Sequence, residues 1–277
     1  MEVAIILILT ALNCHLVGHI LVMRNESMIA DALSHSILLG IVLGFFTVRQ
    51  LNSPLLVVFA ALFGVLTILL ISRLNQSVKI NHDTATGLVF PLFFAIAVIL
   101  ITMYANNVHL DMDMVLMGEI IFAPLSRMDV FGIDVSVTLV KVLINFIGVI
   151  IFLCVAYQPL KLYLSNPTHA KLSGVNTSVL SISVMLLVAF TTVMSFDSVG
   201  SISVIAFFVA PSLCVLHYVK HYGAFLYLSS LVAIIVSLIG YYVASVFDLT
   251  VAGTTTTVAL VTVLVLPAIL KRLKRNG

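Results

Sequence analysis

Long apolar runs separated by short polar joints fill most of the chain. They fall at roughly 3–22, 28–48, 54–72, 86–104, 132–157, 178–196, 199–218, 224–246 and 250–270. Each is long enough to cross about 30 Å of hydrocarbon as a helix. The pattern predicts nine crossings. The range is eight to ten, because the joints at Asp197–Gly200 and Phe247–Thr250 are very short and some runs could be broken or re-entrant. No internal repeat or low-complexity linker divides the runs. The expected architecture is an all-α, polytopic helical bundle in one membrane domain over residues 1–277.

Composition agrees with this pattern. The chain is 62% hydrophobic and only 9% charged, with a mean hydropathy of +1.25, whereas soluble domains carry about 25% charged residues. A net charge of +2 gives no ground for a nucleic-acid partner. The placement of the charges is more informative. With Arg24 on the cytoplasmic side, alternation puts Arg73, Lys79, Lys161, Lys171, Lys220 and the Lys271-Arg272-Leu273-Lys274-Arg275 tail on that side too. Only Arg49 and Arg127 fall outside, and Lys141 lies within a run. The positive-inside rule then predicts an outer N-terminus and a cytoplasmic C-terminus. The first run has Glu2 where a signal peptide would carry basic residues, so it reads as a crossing. Cys14, Cys154 and Cys214 each lie in an apolar run without a Cys-x-x-Cys spacing, and read as small fillers.

Candidate chemistry concentrates in Met23–Gly44, where an acid and an imidazole are set into an apolar span. Asp31 and His35 are four apart, so a helix stacks them on one face. An ionisable residue inside a membrane is costly and usually marks an ion path. Carboxylate oxygen with imidazole nitrogen suits Mn, Fe or Zn. The plainer alternative is local pairing of Asp31 and a satisfied core histidine. In the first run, Asn13, His15 and His19 either face the same path or hydrogen-bond between helices, the commoner use of a polar group in a bundle.

Three further segments stand out. Tyr104–Asp134 carries His109, Asp111, Asp113 and Glu119, and is too polar to span yet too apolar for a plain loop. A short re-entrant helix or outer gate is expected there, with acids that attract a cation; a solvated loop is the alternative. The stretch Asn166-Pro167-Thr168-His169-Ala170-Lys171-Leu172-Ser173-Gly174 reads as a self-contained short helix. Asn166 caps it, Pro167 takes its first position and Gly174 closes it. Pro211 inside an apolar run predicts a kink or break, and the threonines Thr254–Thr257 predict interhelical hydrogen bonds. There is no G-x-x-x-x-G-K-S/T phosphate loop, no H-E-x-x-H and no G-x-S-x-G in the sequence. ATP hydrolysis through a phosphate loop, zinc proteolysis and serine hydrolysis are thereby disfavoured.

The string Arg24-Asn25-Glu26-Ser27-Met28-Ile29-Ala30-Asp31-Ala32-Leu33-Ser34-His35 resembles the motif near the start of the metal-transporting ABC permeases. Asp111-x-Asp113 followed by Leu-Met-Gly-Glu, Val199-Gly200 through Pro211, and Asp248–Thr254 resemble later segments of the same family. The resemblance implies the transmembrane subunit of an ATP-driven importer of Mn²⁺, Zn²⁺ or Fe²⁺, manganese favoured, in a bacterial cell membrane. It implies a homodimer, a separate cytosolic ATPase pair, an extracellular metal-binding protein and no permanent cofactor. It also makes 166–174 the ATPase-coupling helix, with Ala170 and Leu172 on its docking face. The chain departs from the family at Ser36-Ile37-Leu38-Leu39-Gly40, where a proline is usual, and at Glu26, where an apolar or small residue is expected. A stand-alone secondary metal transporter is the rival reading. A membrane-embedded metalloenzyme would need more acid–base and ligand groups than these motifs supply.

Overall fold

The computed structural model describes residues 2–49, 53–104, 120–130 and 132–276. Its long helices are α1 (Glu2–Met23), α2 (Met28–Val48), α3 (Pro54–Val78), α4 (His82–Tyr104) and α5 (Val137–Ser165). A short α6 (Pro167–Leu172) follows, then α7 (Thr177–Val215), α8 (Tyr222–Phe247) and α9 (Val251–Asn276). Among the described residues, nine segments are long and apolar enough to cross a membrane. Helices suit that setting because each satisfies its own backbone where no water can.

α7 supplies two of the nine segments, Thr177–Phe196 and Ser198–Val215. Gly200 interrupts its helical backbone with φ +75°, a conformation that a Cβ opposes. Contacts along α7 show that the chain reverses there. Ser181 receives a hydrogen bond from Arg24, at the end of α1. Ser198 lies 3.4 Å from Thr10, well back along α1. Ser203 meets Ala252 at the start of α9, and Tyr218 meets Pro267 near the end of α9. The segment therefore runs from one end of the bundle toward the other and returns. Pro211 does not break it: the non-helical backbone inside α7 is at Gly200.

α1 is the centre of the bundle. It packs on α7, α8 and α5, and Ile6, Ala11, Val17 and Ile20 are fully buried. Gly18 makes the α1–α7 approach possible, since a Cβ there would lie 2.2 Å from the Phe208 carbonyl oxygen. A second apolar cluster joins α2 to α4 through Ala32, Leu38, Leu39, Val42, Ala85, Val89 and Phe93. At one end of the molecule Arg127 bonds Glu2 at 3.0 Å. At the other, Arg24, Glu26, His82 and Ser181 gather. This two-ended arrangement matches the alternation of the predicted crossings.

Several details differ from the sequence reading. Arg127–Val130 and Ile133–Ser136 form a small antiparallel hairpin before α5, with the Gly132 N–H bonded to Asp129 Oδ1 at 2.8 Å. The crossing predicted from residue 132 therefore begins at Val137 and runs on to Ser165. Thr254, Thr255, Thr256 and Thr257 each bond back to the carbonyl four residues earlier, at 2.8–2.9 Å. Their hydroxyls satisfy themselves within the helix, so they do not provide the expected bonds between helices.

Candidate functional site

Asp31 and His35 lie on one face of α2, as their spacing predicts. His35 Nε2 is 3.4 Å from Asp31 Oδ1, and both side chains are about one-third exposed on the single chain. The histidine ring is held by α4. It stacks on Phe90 at 5.7 Å and meets the edge of Phe94 at 5.2 Å. These contacts fix the ring plane and leave Nε2 beside the carboxylate. Two ligands about 2.1 Å from one ion, at tetrahedral or octahedral angles, lie about 3.0–3.4 Å apart. The observed spacing fits a pair that grips one divalent ion.

Asp31 lies shallower than one unbroken helix from Arg24 would place it. Counting from Arg24 along one helix puts it about 10 Å into the apolar layer. Residues 24–27 instead form a turn, with Asn25 at φ +58°. Asp31 consequently sits in the first turn of α2, only about 4.5 Å from its start. His35 lies one turn deeper.

His15 and His19 belong to a different place. Both are fully buried on α1. His15 Nδ1 is 3.4 Å from Ser212 Oγ, and His19 Nε2 is 2.9 Å from Tyr222 Oη. Asn13 donates to the Val142 carbonyl at 3.0 Å. These bonds tie α1 to α7, α8 and α5, so the interhelical reading holds for them. No group of three His, Cys, Asp or Glu side chains suited to a metal occurs among the described residues. His109, Asp111, Asp113 and Glu119 lie outside those residues.

The helix at 166–174 forms as the sequence predicts. Asn166 Oδ1 accepts the N–H groups of Thr168 and His169 at 3.0 and 3.1 Å. Pro167 opens the helix, and Gly174 closes it at φ +83°. Its two apolar residues separate, however. Ala170 is fully buried against its own chain, whereas Leu172 is 83% exposed. Only Leu172 is free to meet a partner, which removes Ala170 from the expected docking face.

One polar group was not anticipated as a unit. Arg24 donates to Glu26 Oε1 at 2.7 Å and to Ser181 Oγ at 3.1 Å, and lies 5.2 Å from the centre of the Tyr163 ring. His82 Nε2 stands 3.8 Å from Glu26 Oε1. The group links the α1–α2 turn to the start of α4, the end of α5 and the start of α7. This explains why Glu26 replaces an apolar residue: it is buried with a cation to compensate it. The sequence signal was that unexpected acid two positions after Arg24; its partners His82 and Ser181 are too distant in the chain to be linked from spacing.

Comparison with known proteins agrees with this geometry. A zinc transport system membrane protein of Treponema pallidum, TroD, is 37% identical over 259 residues, covering 94% of this chain and 71% of the relative. The manganese transport system membrane protein MntD of Bacillus subtilis is 34% identical, covering 89% of this chain and 83% of its own length. The solved PsaBC complex of Streptococcus pneumoniae, bound to a Fab, shares the fold with a TM-score of 0.79 at 21% identity, covering 98% of this chain and 93% of that one. The model of one family, described as the ABC 3 transport family, matches residues 1–272. With nearly the whole length matched, this multi-pass membrane chain belongs to the ABC 3 transport family.

Proposed function

We propose that the chain is the permease subunit of an ATP-driven importer of divalent transition metal ions, Mn²⁺, Zn²⁺ or Fe²⁺, in a bacterial cell membrane. Two copies form the channel. A separate cytosolic ATPase pair drives it, and an extracellular metal-binding protein delivers the ion; the chain itself is not an enzyme and keeps no resident cofactor. The C-terminus is cytoplasmic, as the basic tail favours. The relatives named for zinc and manganese transport support the cargo class.

The observation that carries this reading is the Asp31–His35 pair, spaced at 3.4 Å and open on the face of a single chain. One carboxylate and one imidazole make a weak site. A second copy facing the first supplies the same pair again, giving up to four ligands. Such a set compensates a divalent ion for part of its lost water without trapping it. Leu172, projecting from the capped helix α6, is the apolar contact for the ATPase.

The test is uptake of radioactive Mn²⁺ and Zn²⁺ into proteoliposomes that hold the complete transporter. Asp31→Asn and His35→Ala should assemble normally and lower uptake of the transported metal at least tenfold. Uptake near the wild-type rate in either variant would remove this pair from the ion path.

A further inference from the structure

We infer that Arg24 and Glu26 form the joint through which a displacement of α6 reaches the Asp31–His35 pair. The inference rests on the importer reading, in which α6 meets the ATPase, and adds to it the residues that link that contact to the ion path.

One planar guanidinium reaches three elements. Arg24 Nη1 donates to Ser181 Oγ at 3.1 Å, and Nη2 donates to Glu26 Oε1 at 2.7 Å. Its central carbon lies 5.2 Å from the centre of the Tyr163 ring. Tyr163 and Ser181 bracket α6 in the chain. Tyr163 stands three residues before Asn166, which both ends α5 and caps α6. Ser181 stands five residues after Asn176, the cap of α7. Little slack separates these elements. The Val175 N–H bonds the Ala170 carbonyl at 3.1 Å, and Asn176 Oδ1 accepts the Val179 N–H at 3.1 Å. A push on α6 therefore moves the end of α5 and the start of α7 together, and both hold Arg24.

On its other side Arg24 holds the approach to α2. Glu26 Oε2 is buried without a hydrogen-bond partner, so Arg24 is the donor that anchors this carboxylate. The two side chains are only 15% and 10% exposed. Separating such a pair leaves an uncompensated buried charge, so the two move as one. The backbone stiffens the link. The Glu26 N–H bonds the Leu21 carbonyl at 2.8 Å and the Asn25 N–H bonds the Val22 carbonyl at 3.1 Å, the paired bonds of a Schellman turn. Two residues after Glu26, α2 begins, and Asp31 lies in its first turn.

The start of α4 is not fastened in the same way. His82 Nε2 lies 3.8 Å from Glu26 Oε1, outside hydrogen-bond range. Beyond it, α2 meets α4 through apolar side chains such as Ala32, Leu39, Val89 and Phe93. Packed helices of this kind shear past one another in small steps. Motion of the joint slides α2 along α4 and carries His35 past Phe90 and Phe94, the rings that fix its plane. The metal pair is thereby opened or remade in step with the ATPase.

The test uses the complete transporter in proteoliposomes, with ATP hydrolysis and uptake of radioactive Mn²⁺ and Zn²⁺ measured together. Ser181→Ala/Tyr163→Leu cuts Arg24 from α5 and α7 but keeps the Arg24–Glu26 pair. Assembly, thermal midpoint and ATP hydrolysis should stay near wild type, while metal moved per ATP falls at least fivefold. Ser181→Thr/Tyr163→Phe keeps the hydroxyl and the ring face, and should hold the wild-type ratio. An unchanged ratio in the first variant, or an equal fall in the second, overturns the joint. So does a loss of hydrolysis and uptake in the same proportion, the mark of a merely structural role. If the first variant uncouples while Leu172→Glu transports normally, the joint stands and Leu172 is not the ATPase contact. If the unmodified transporter moves neither metal with ATP, the importer reading fails and the joint with it.

Discussion

A single missing methyl group governs the approach of α1 to α7. At Gly18 an added Cβ would lie 2.2 Å from the Phe208 carbonyl oxygen and 2.5 Å from its Cα. Both are backbone atoms, which cannot turn aside as a side chain does. Gly18→Ala should therefore force α1 from α7 and destabilise the chain by about 1–3 kcal/mol, in the range of an overpacked core. Gly148→Ala is the control, because nothing lies within 4 Å of the new methyl. Thermal unfolding in detergent should show a lower midpoint for the first and no loss for the second. Nothing in the sequence distinguishes these two glycines, since the difference comes from a helix 190 positions away. Asp31 and His35 were legible for the opposite reason: their relation is local and follows from helical period alone. Glu26 stood between these cases, visible as an oddity but without its partners.

At the scale of the element, α6 is held by local chemistry. Asn166 caps two N–H groups, an interaction worth about 1 kcal/mol, and Pro167 presets the first turn. Those signals lie within nine residues, so the helix could be read from its sequence. Which side it buries could not, because that depends on how α5 and α7 flank it. The burial pattern makes a sharp prediction. Leu172→Glu should leave folding and assembly intact while separating ATP hydrolysis from metal uptake, measured together in proteoliposomes. Ala170→Glu should instead prevent stable folding, since it buries an unpaired charge. Normal coupled transport by Leu172→Glu would reduce α6 to a connection. The hairpin at Arg127–Ser136 escaped sequence reading because its strands are only four residues each, and their apolar residues merge with the run that follows.

At the scale of the whole molecule, the crossings were largely legible. Hydrocarbon demands about 20 apolar residues per helix, which leaves a coarse and strong imprint. Lateral arrangement was not legible, because lipid and protein neighbours are equally apolar and select nearly the same side chains. Thus the spans Glu2–Met23 of α1 and Val251–Ile269 of α9 are similarly apolar, yet the first has 78% of its most apolar window buried and the second 17%. The absence of a phosphate loop sets the last functional expectation. In liposomes, the chain without an ATPase subunit should show no ATP-dependent metal uptake, and adding that subunit should restore it. Uptake at full rate from an ion gradient alone would favour a secondary transporter.

The reversal at Gly200 also bears on how the chain is made. The segments Thr177–Phe196 and Ser198–Val215 are separated by one residue, and their turn meets Thr10, well inside the length of α1. A nascent chain has only the short joint Asp197–Gly200 there to leave on the far surface while the next crossing is synthesised. The two segments should therefore enter the bilayer together, as one hairpin. Nascent chains arrested before Val215 has emerged should therefore leave Thr177–Phe196 uninserted, and longer ones should insert both segments together.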